Sequence, residues 1–412
     1  YDPEEFTFGE LKRNYGDQNR GEVNVDAANN IYIASCTQSS DFPTTGGAIQ
    51  TAFGGGQDGC AFKLNSDCSA LQWCTFLGGN AHDACYSLDL GPAGTLYVAG
   101  GTMSSNFPTT AGTIHANYQG GLYDGFLSQI NPNGTQLLAS SFIGTAGDDQ
   151  VYFVKLDARN DVYFVGQTTG AYPVANAPYS NPNSGQFISK VKPDLTGVIY
   201  STVFGNGNGR PNISPTAFLV DTCENVYVAG WGCSPNSIFS QSGFAANVMT
   251  SLPLTSDALQ SSTDGTDFYF FVLAKNAQNI LYGSYFGGNG NEEHVDGGTS
   301  RFDKRGVMYQ AMCAGCGGNS ITPTTSGVWS PTNRSYNCNE LGLKIAFNLS
   351  GTEVQIAAAP RATGCVPLTV QFRATSNAAS VQWDFGDGGT STQNNPLHTY
   401  TDTGTYYVML VG

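Results

Sequence analysis

Positive charge is scarce in this chain. Of 412 residues only 17 are Lys or Arg, against 32 Asp or Glu, for a formal net charge of -15. So few cations cannot build the basic face that phosphates require, which disfavours nucleic acid and anionic membranes as partners. No apolar run reaches the roughly 18 residues of a membrane-spanning helix, so no membrane insertion is expected. Helical periodicity of useful length is missing too. Histidine is limited to His82, His115, His294 and His398. Charged residues amount to 12%; Gly, Asn, Ser and Thr carry the polarity, a pattern common in secreted β-proteins, and the expected location is extracellular, at the cell surface.

What is present is a repeat. An aspartate, a short polar turn and a tyrosine opening an apolar strand recur from Asp26 to Tyr32, Asp89 to Tyr97, Asp157 to Tyr163, Asp221 to Tyr227 and Asp303 to Tyr309. The tyrosines are 65, 66, 64 and 82 residues apart, so one supersecondary unit has been copied. After three of the tyrosine strands comes a Pro-Thr-Thr loop (DFPTTGGAIQ from Asp41, NFPTTAGTIH from Asn106, ITPTTSGVW from Ile321), and a second apolar run follows, often opened by Asp (Asp58 to Leu64, Asp124 to Ile130, Gln186 to Val191, Asp267 to Leu273). A third run ends on an aromatic and glycine (WCTFLGG, SSFIGT, STVFGN, GSYFGG), and a last one leads into the next aspartate. Each unit thus holds about four short strands separated by Gly, Asn, Asp and Pro turns. Four-stranded sheets in tandem predict an all-β fold of the β-propeller type over residues 1–350, because arranging blades around an axis protects most sheet edges. The stretch FTFGELKRNYG from Phe6 reads as a fourth strand that the last unit lacks. Pairing of Phe6 to Tyr15 with Leu341 to Phe347 gives five blades; a further repeat before Tyr1 would make six or seven.

From about Val354 the repeat stops, and residues 354–412 alternate apolar and polar at period two, as in a small antiparallel sandwich. This stretch resembles a polycystic-kidney-disease (PKD) domain: the W-D-F-G-D-G hallmark stands as Trp383, Asp384, Phe385, Gly386, Asp387 and Gly388, followed by N-P-x-H-x-Y from Asn395 to Tyr400. The resemblance implies an Ig-like sandwich. The repeat region is similar to the SBBP-type propeller repeat, carried by Asn225 to Gly230, Asp41 to Thr45 and Phe76 to Gly79. The combination resembles large surface proteins of the Bacteroidetes, often exported by type IX secretion and associated with adhesion or gliding motility.

Eleven cysteines in an extracellular chain read as disulfides, with one left over. The candidates are Cys36, Cys60, Cys68, Cys74, Cys85, Cys223, Cys233, Cys313, Cys316 and Cys338, leaving Cys365, alone in its domain, unpaired. Cys313 and Cys316 lack the second ligand pair a zinc site needs. No metal or other cofactor is expected. The repeat aspartates Asp26, Asp89, Asp157, Asp221 and Asp303 offer one carboxylate per turn, which suits capping of their own hairpins better than calcium.

His82 beside Asp83, and His294 near Glu292, Glu293 and Asp296, could serve proton transfer. Asp149, however, holds the same offset with no histidine, which suits an inter-blade hydrogen bond better than chemistry. The fourth unit carries an insertion between Trp231 and Thr266, where a scaffold would place recognition; Trp231, Phe239 and Phe244 are its candidate contact residues, against the alternative that it merely covers a sheet edge. The leading expectation is a non-enzymatic surface protein, adhesive or structural, with the propeller displaying loops and the PKD domain as spacer. Its partners would be surface proteins, glycans or further copies of itself. The alternatives are a subunit of an extracellular filament or sheath, and a secreted enzyme acting on polysaccharide, which would need two facing carboxylates.

Overall fold

The computed structural model describes residues 11, 21–232, 249–290, 293–295, 300–303, 306–347, 354–359, 363–376, 378 and 380–412. The chain divides into Tyr1–Phe347 and Asn348–Gly412. Among its described residues the first unit holds five antiparallel sheets in chain order. The first is β1 (Glu22–Val25), β2 (Ile31–Thr37), β3 (Asp58–Leu64) and β4 (Leu71–Leu77). The second is β5 (Asp83–Leu90), β6 (Leu96–Thr102), β7 (Asp124–Ile130) and β8 (Leu137–Ile143). β9 (Asp149–Leu156), β10 (Val162–Thr168), β11 (Gln186–Val191) and β12 (Val198–Phe204) form the third. β13 (Ser214–Val220), β14 (Val226–Trp231), β15 (Phe268–Leu273) and β16 (Ile280–Phe286) form the fourth. The fifth has three strands among the described residues: β17 (Ser300–Phe302), β18 (Met308–Ala314) and β19 (Asn339–Ile345).

Each sheet is a meander, and the sheets are the blades of a propeller. First strands meet around the axis: β1 lies against β5, β5 against β9, β9 against β13 and β13 against β17. Asp89 on β5 ties three blades together, its Oδ1 accepting from Asn24 Nδ2 (3.1 Å) and its Oδ2 from Leu156 N (2.9 Å). Arg301 on β17 reaches Glu22 on β1 at 3.0 Å, joining the fifth blade to the first. Register shifts of one residue recur between first and second strands, at Cys85/Ser87, Val165/Gly166 and Pro215/Ala217. Such bulges strengthen the local twist that a blade needs. Leu11 is buried, packs with Ala84, Tyr86 and Tyr152, and accepts a hydrogen bond from Gln57 Nε2 (3.3 Å). The rest of the expected Phe6 to Tyr15 strand lies outside the described residues.

The repeated Asp-to-Tyr spacing has a physical cause. Asp26 Oδ1 accepts from the N–H groups of Ala28 and Asn30 (both 2.9 Å), and Asp221 Oδ1 from those of Cys223 and Asn225 (both 2.8 Å). Asp157 does the same with Arg159 and Asp161, and Asp303 accepts from Val307 N. The other oxygen of Asp221 takes the hydroxyl of Tyr227 at 3.0 Å, and that of Asp26 the hydroxyl of Tyr32 at 3.4 Å. Asp89 departs from this pattern and corrects the expectation for the second copy. Its tyrosine is two residues further away, so Gly91 occupies the turn position (N–H to Thr95 O, 2.8 Å) and Asp89 is freed to bridge blades.

The second unit comprises β20 (Val354–Ala359), β21 (Leu368–Ser376), β22 (Gln382–Asp384), β23 (Thr390–Ser391), β24 (Leu397–Tyr400) and β25 (Met409–Val411). They form two sheets, ordered β20-β21-β24 and β23-β22-β25. Trp383 and Phe385 are buried between them with Phe372 and Val370. Asp384 and Asp387 stay at the turn, accepting from Gly386 N and Gly389 N (both 2.9 Å). Gly386 and Gly388 take φ of +81° and +91°, a region open to glycine. His398 bonds Asp387 (2.7 Å) and stacks on Phe385.

Candidate functional site

Four blades end alike, on a fourth strand followed by a glycine: Gly78, Gly144, Gly205 and Gly287. Each glycine lies where two side chains converge, one opening the third strand of its own blade and one opening the next blade. A Cβ on Gly78 would stand 2.9 Å from Asp58 Oδ1 and 2.8 Å from Asp83 Oδ2. On Gly144 it would meet Asp124 Oδ1 and, at 3.2 Å, Asp149 Oδ2; on Gly287, Asp267 Oδ1 and, at 2.5 Å, Glu293 Oε2. On Gly205 the pair is neutral, Gln186 Oε1 and Asn212 Oδ1, both at 2.8 Å. All eight side chains are buried.

Donors surround the acids. Asp58 accepts from the N–H groups of Gly54 (2.7 Å) and Gly55 (3.1 Å), and Asp83 from Gly79 N (2.7 Å), Ser104 Oγ (2.8 Å) and Thr102 Oγ1. Gln119 N (2.5 Å) serves Asp124, and Thr145 N and Oγ1 (2.7 and 2.8 Å) serve Asp149. Glu293 takes Gly288 N (3.0 Å) and Thr322 Oγ1 (2.6 Å); Gln260 Nε2 (3.3 Å) reaches Asp267. Burial pushes the carboxyls up, to about 6 for Asp83, Asp149 and Asp267 and to about 7 for Asp124 and Glu293; Asp58 is raised as well. The legible trace of these pairs was the aromatic-glycine ending followed within a few residues by an acid. Each partner, however, lies some 25 residues upstream of its mate, at the start of a strand, where nothing local marks it as half of a pair.

The histidines do not join this chemistry. Asp83 gives its oxygens to Thr102, Ser104 and Gly79, while the His82 ring lies over Gly56. His294 packs its ring against Trp231 (6.0 Å), and its backbone pairs with Cys313; Glu292 and Asp296 lie outside the described residues.

Trp231 is fully buried, at the end of β14 among Phe268 and Phe270. It is core and not a contact residue, because the insertion leaves the sheet after it. Phe239 and Phe244 lie outside the described residues. Among the described residues of the first unit, the most exposed aromatics sit elsewhere, on the fifth blade: Trp329 is 99% and Tyr336 96% accessible. Six residues after the loop proline, Ile49, Ile114 and Tyr179 each donate a backbone N–H to a turn of the following blade, at Gly134, Leu195 and Ala277 (3.2, 2.9 and 2.7 Å). Trp329 holds the same place after Pro323 yet points at solvent, and the corresponding first-blade turn, at Cys68, is exposed. The loop is fastened at its base by a Cys316–Cys338 disulfide and by Asn333 Nδ2, which donates to Gly315 O (2.9 Å) and Asn337 O (2.8 Å).

That disulfide removes Cys316 from any zinc reading. Cys60, Cys68, Cys74, Cys85 and Cys223 carry no disulfide, contrary to the expectation that most cysteines pair. Cys60, Cys74 and Cys85 are buried on adjoining strands, where burial raises the thiol pKa, for Cys74 to about 12, and they behave as small apolar core residues. Cys36 and Cys313 are half-buried, Cys365 is an exposed thiol, and Cys233 lies outside the described residues.

A cavity of about 210 Å³ between the second and third blades, lined by Ile114, His115, Ile143, Phe164 and Tyr172, is smaller than the clefts that enclose small-molecule ligands. Among the described residues no group of three or more His, Cys, Asp or Glu is placed to hold a metal ion.

Comparison with curated proteins gave no match. Among solved structures, a protein of unknown function from Dyadobacter fermentans is 9% identical, with a TM-score of 0.40, over 95% of this chain and 97% of that one. A polysaccharide lyase, an ulvan lyase, is 8% identical at a TM-score of 0.39 over 90% and 79%. A β-xylosidase is 9% identical at 0.34 over 83% and 97%. Likeness at this level speaks to neither activity nor ligand. Over residues 354–411 the chain matches the family model described as PKD domain, and the molecule therefore carries a PKD domain at its carboxy-terminal end.

Proposed function

We propose that this chain is a non-enzymatic extracellular surface module that binds glycans or surface proteins through the rim of its propeller, with the PKD domain as spacer. The observation that carries this reading is the fifth-blade loop, where Trp329 and Tyr336 are presented to solvent on a base held by a disulfide. A rigid exposed aromatic loses little entropy on contact, which is why such side chains dominate binding hot spots. The junction carboxyl pairs are enclosed and engaged with backbone and hydroxyl donors, which supports a structural role for them over glycoside hydrolysis. The resemblance to SBBP-type repeats and to type IX-exported adhesion and gliding proteins agrees with a cell-surface location, as does the PKD domain.

The test is binding of the whole chain to a panel of polysaccharides and to intact cells, with Trp329→Ala/Tyr336→Ala alongside. Binding should weaken at least about tenfold in the variant while the fold is kept. Undiminished binding would remove the loop from the reading, and cleavage of any polysaccharide in the panel would overturn the non-enzymatic assignment.

A further inference from the structure

We propose that two acidic junction pairs, Asp124 with Asp149 and Asp267 with Glu293, each retain one proton between them in the folded protein, so that these blades are fastened by proton binding and loosen as pH rises. In each pair a carboxyl O–H donates to the facing carboxylate.

The geometry demands a shared donor. Asp124 Oδ1, Asp149 Oδ1, Asp267 Oδ1 and Glu293 Oε2 are enclosed oxygens with no hydrogen-bond partner when all the acids are ionised. Two of them, Asp267 Oδ1 and Glu293 Oε2, converge on one glycine, and two bare carboxylates cannot share so small a dry space. The fourth junction carries the argument further, because Gln186 and Asn212 occupy the same positions as a neutral pair. A cation would need acceptors at every one of these sites, yet the atoms already turned toward the acids are backbone N–H groups and hydroxyls.

The charged neighbours are other acids, and the tyrosines beside them are neutral phenols. Asp148, Tyr118, Tyr123 and Tyr172 surround Asp124 and Asp149; Asp264 and Tyr285 flank Asp267 and Glu293. No Lys, Arg or His forms an ion pair with any of the four acids among the described residues. The folded carboxyls therefore titrate above their unfolded values. Their contribution to stability is complete below about pH 4 and is lost as pH rises through 6 to 7.

Thermal unfolding of the whole chain between pH 5 and pH 8, beside Asp124→Asn/Glu293→Gln, tests the proposal. The unaltered protein should lose several degrees of Tm across this range, and the amide variant should lose less and melt higher than the parent at pH 8. All four histidines are unchanged in the variant, so the comparison isolates the acids. Should the variant not fold, infrared spectra of the unaltered protein at pH 6 must show the C=O stretch of protonated carboxyls, absent after unfolding at the same pH. Equal pH slopes in parent and variant, a missing carboxyl band, or a pH 8 Tm restored by calcium would each overturn it.

Discussion

Lys190 and Lys63 occupy the same place in two copies of the repeat, over the repeat tyrosines Tyr163 and Tyr32 at 4.9 and 4.8 Å, and their surroundings give them different weight. Lys190 is buried, with Asp157, Asp161 and Glu224 at 2.8, 3.1 and 2.9 Å. Burial pushes the Glu224 carboxyl up, but Lys275 and Lys190 pull it further down, to about 2. Its stabilising charge persists until pH falls to that range, far below the window in which the junction pairs titrate. Lys190→Met should cost about 3–5 kcal/mol in denaturant unfolding, because three carboxylates are left facing one another. Lys63, half-buried with a single carboxylate, Asp26, 3.7 Å away, should cost about 1 kcal/mol when changed to Met. The sequence places both lysines alike, as the next-to-last residue of a third strand. Asp161, where the first copy has Asn30, and Glu224, supplied by the neighbouring blade, separate them.

At the scale of elements the same division recurs. Strands, turns and the Asp-to-Tyr motif were legible because each is local: alternating apolar residues, an acid bonded to N–H groups two and four residues on, and a hydroxyl returning to it. Contacts between blades were not legible. Asp89 matched the motif by letter and serves another purpose, and Trp231 belonged to an aromatic-rich insertion in sequence but to the core in space. The fifth-blade loop was the converse case, since nothing local distinguishes ITPTTSGVW from the loops that pack on a neighbour. Its disulfide closes a separation of 22 residues, worth about 3 kcal/mol by chain entropy. In Cys316→Ser/Cys338→Ser, limited proteolysis should open the chain between residues 317 and 337 while the first four blades stay intact. Equal resistance in both proteins would show that the Asn333 bonds alone hold the loop.

For the whole propeller, the decisive feature is the seam between its first and last blades. Arg301 and Glu22 are 279 residues apart along the chain and 3.0 Å apart in space. Every other junction joins neighbours in sequence and can form as soon as two blades exist. This one waits for the entire array, and the entropy of closing so long a loop falls on a half-exposed ion pair that salt screens. Folding should therefore run blade to blade and finish at the seam, with a slow last phase typical of distant pairing. Unfolding should begin there. Amide hydrogens of β1 and β17 should exchange before those of β6 and β10, and added salt should widen that gap; uniform exchange across the blades would deny the seam this role. A molecule built from near-equal parts is thereby given a beginning and an end in time, and a single half-exposed ion pair decides which of its joints yields first under load.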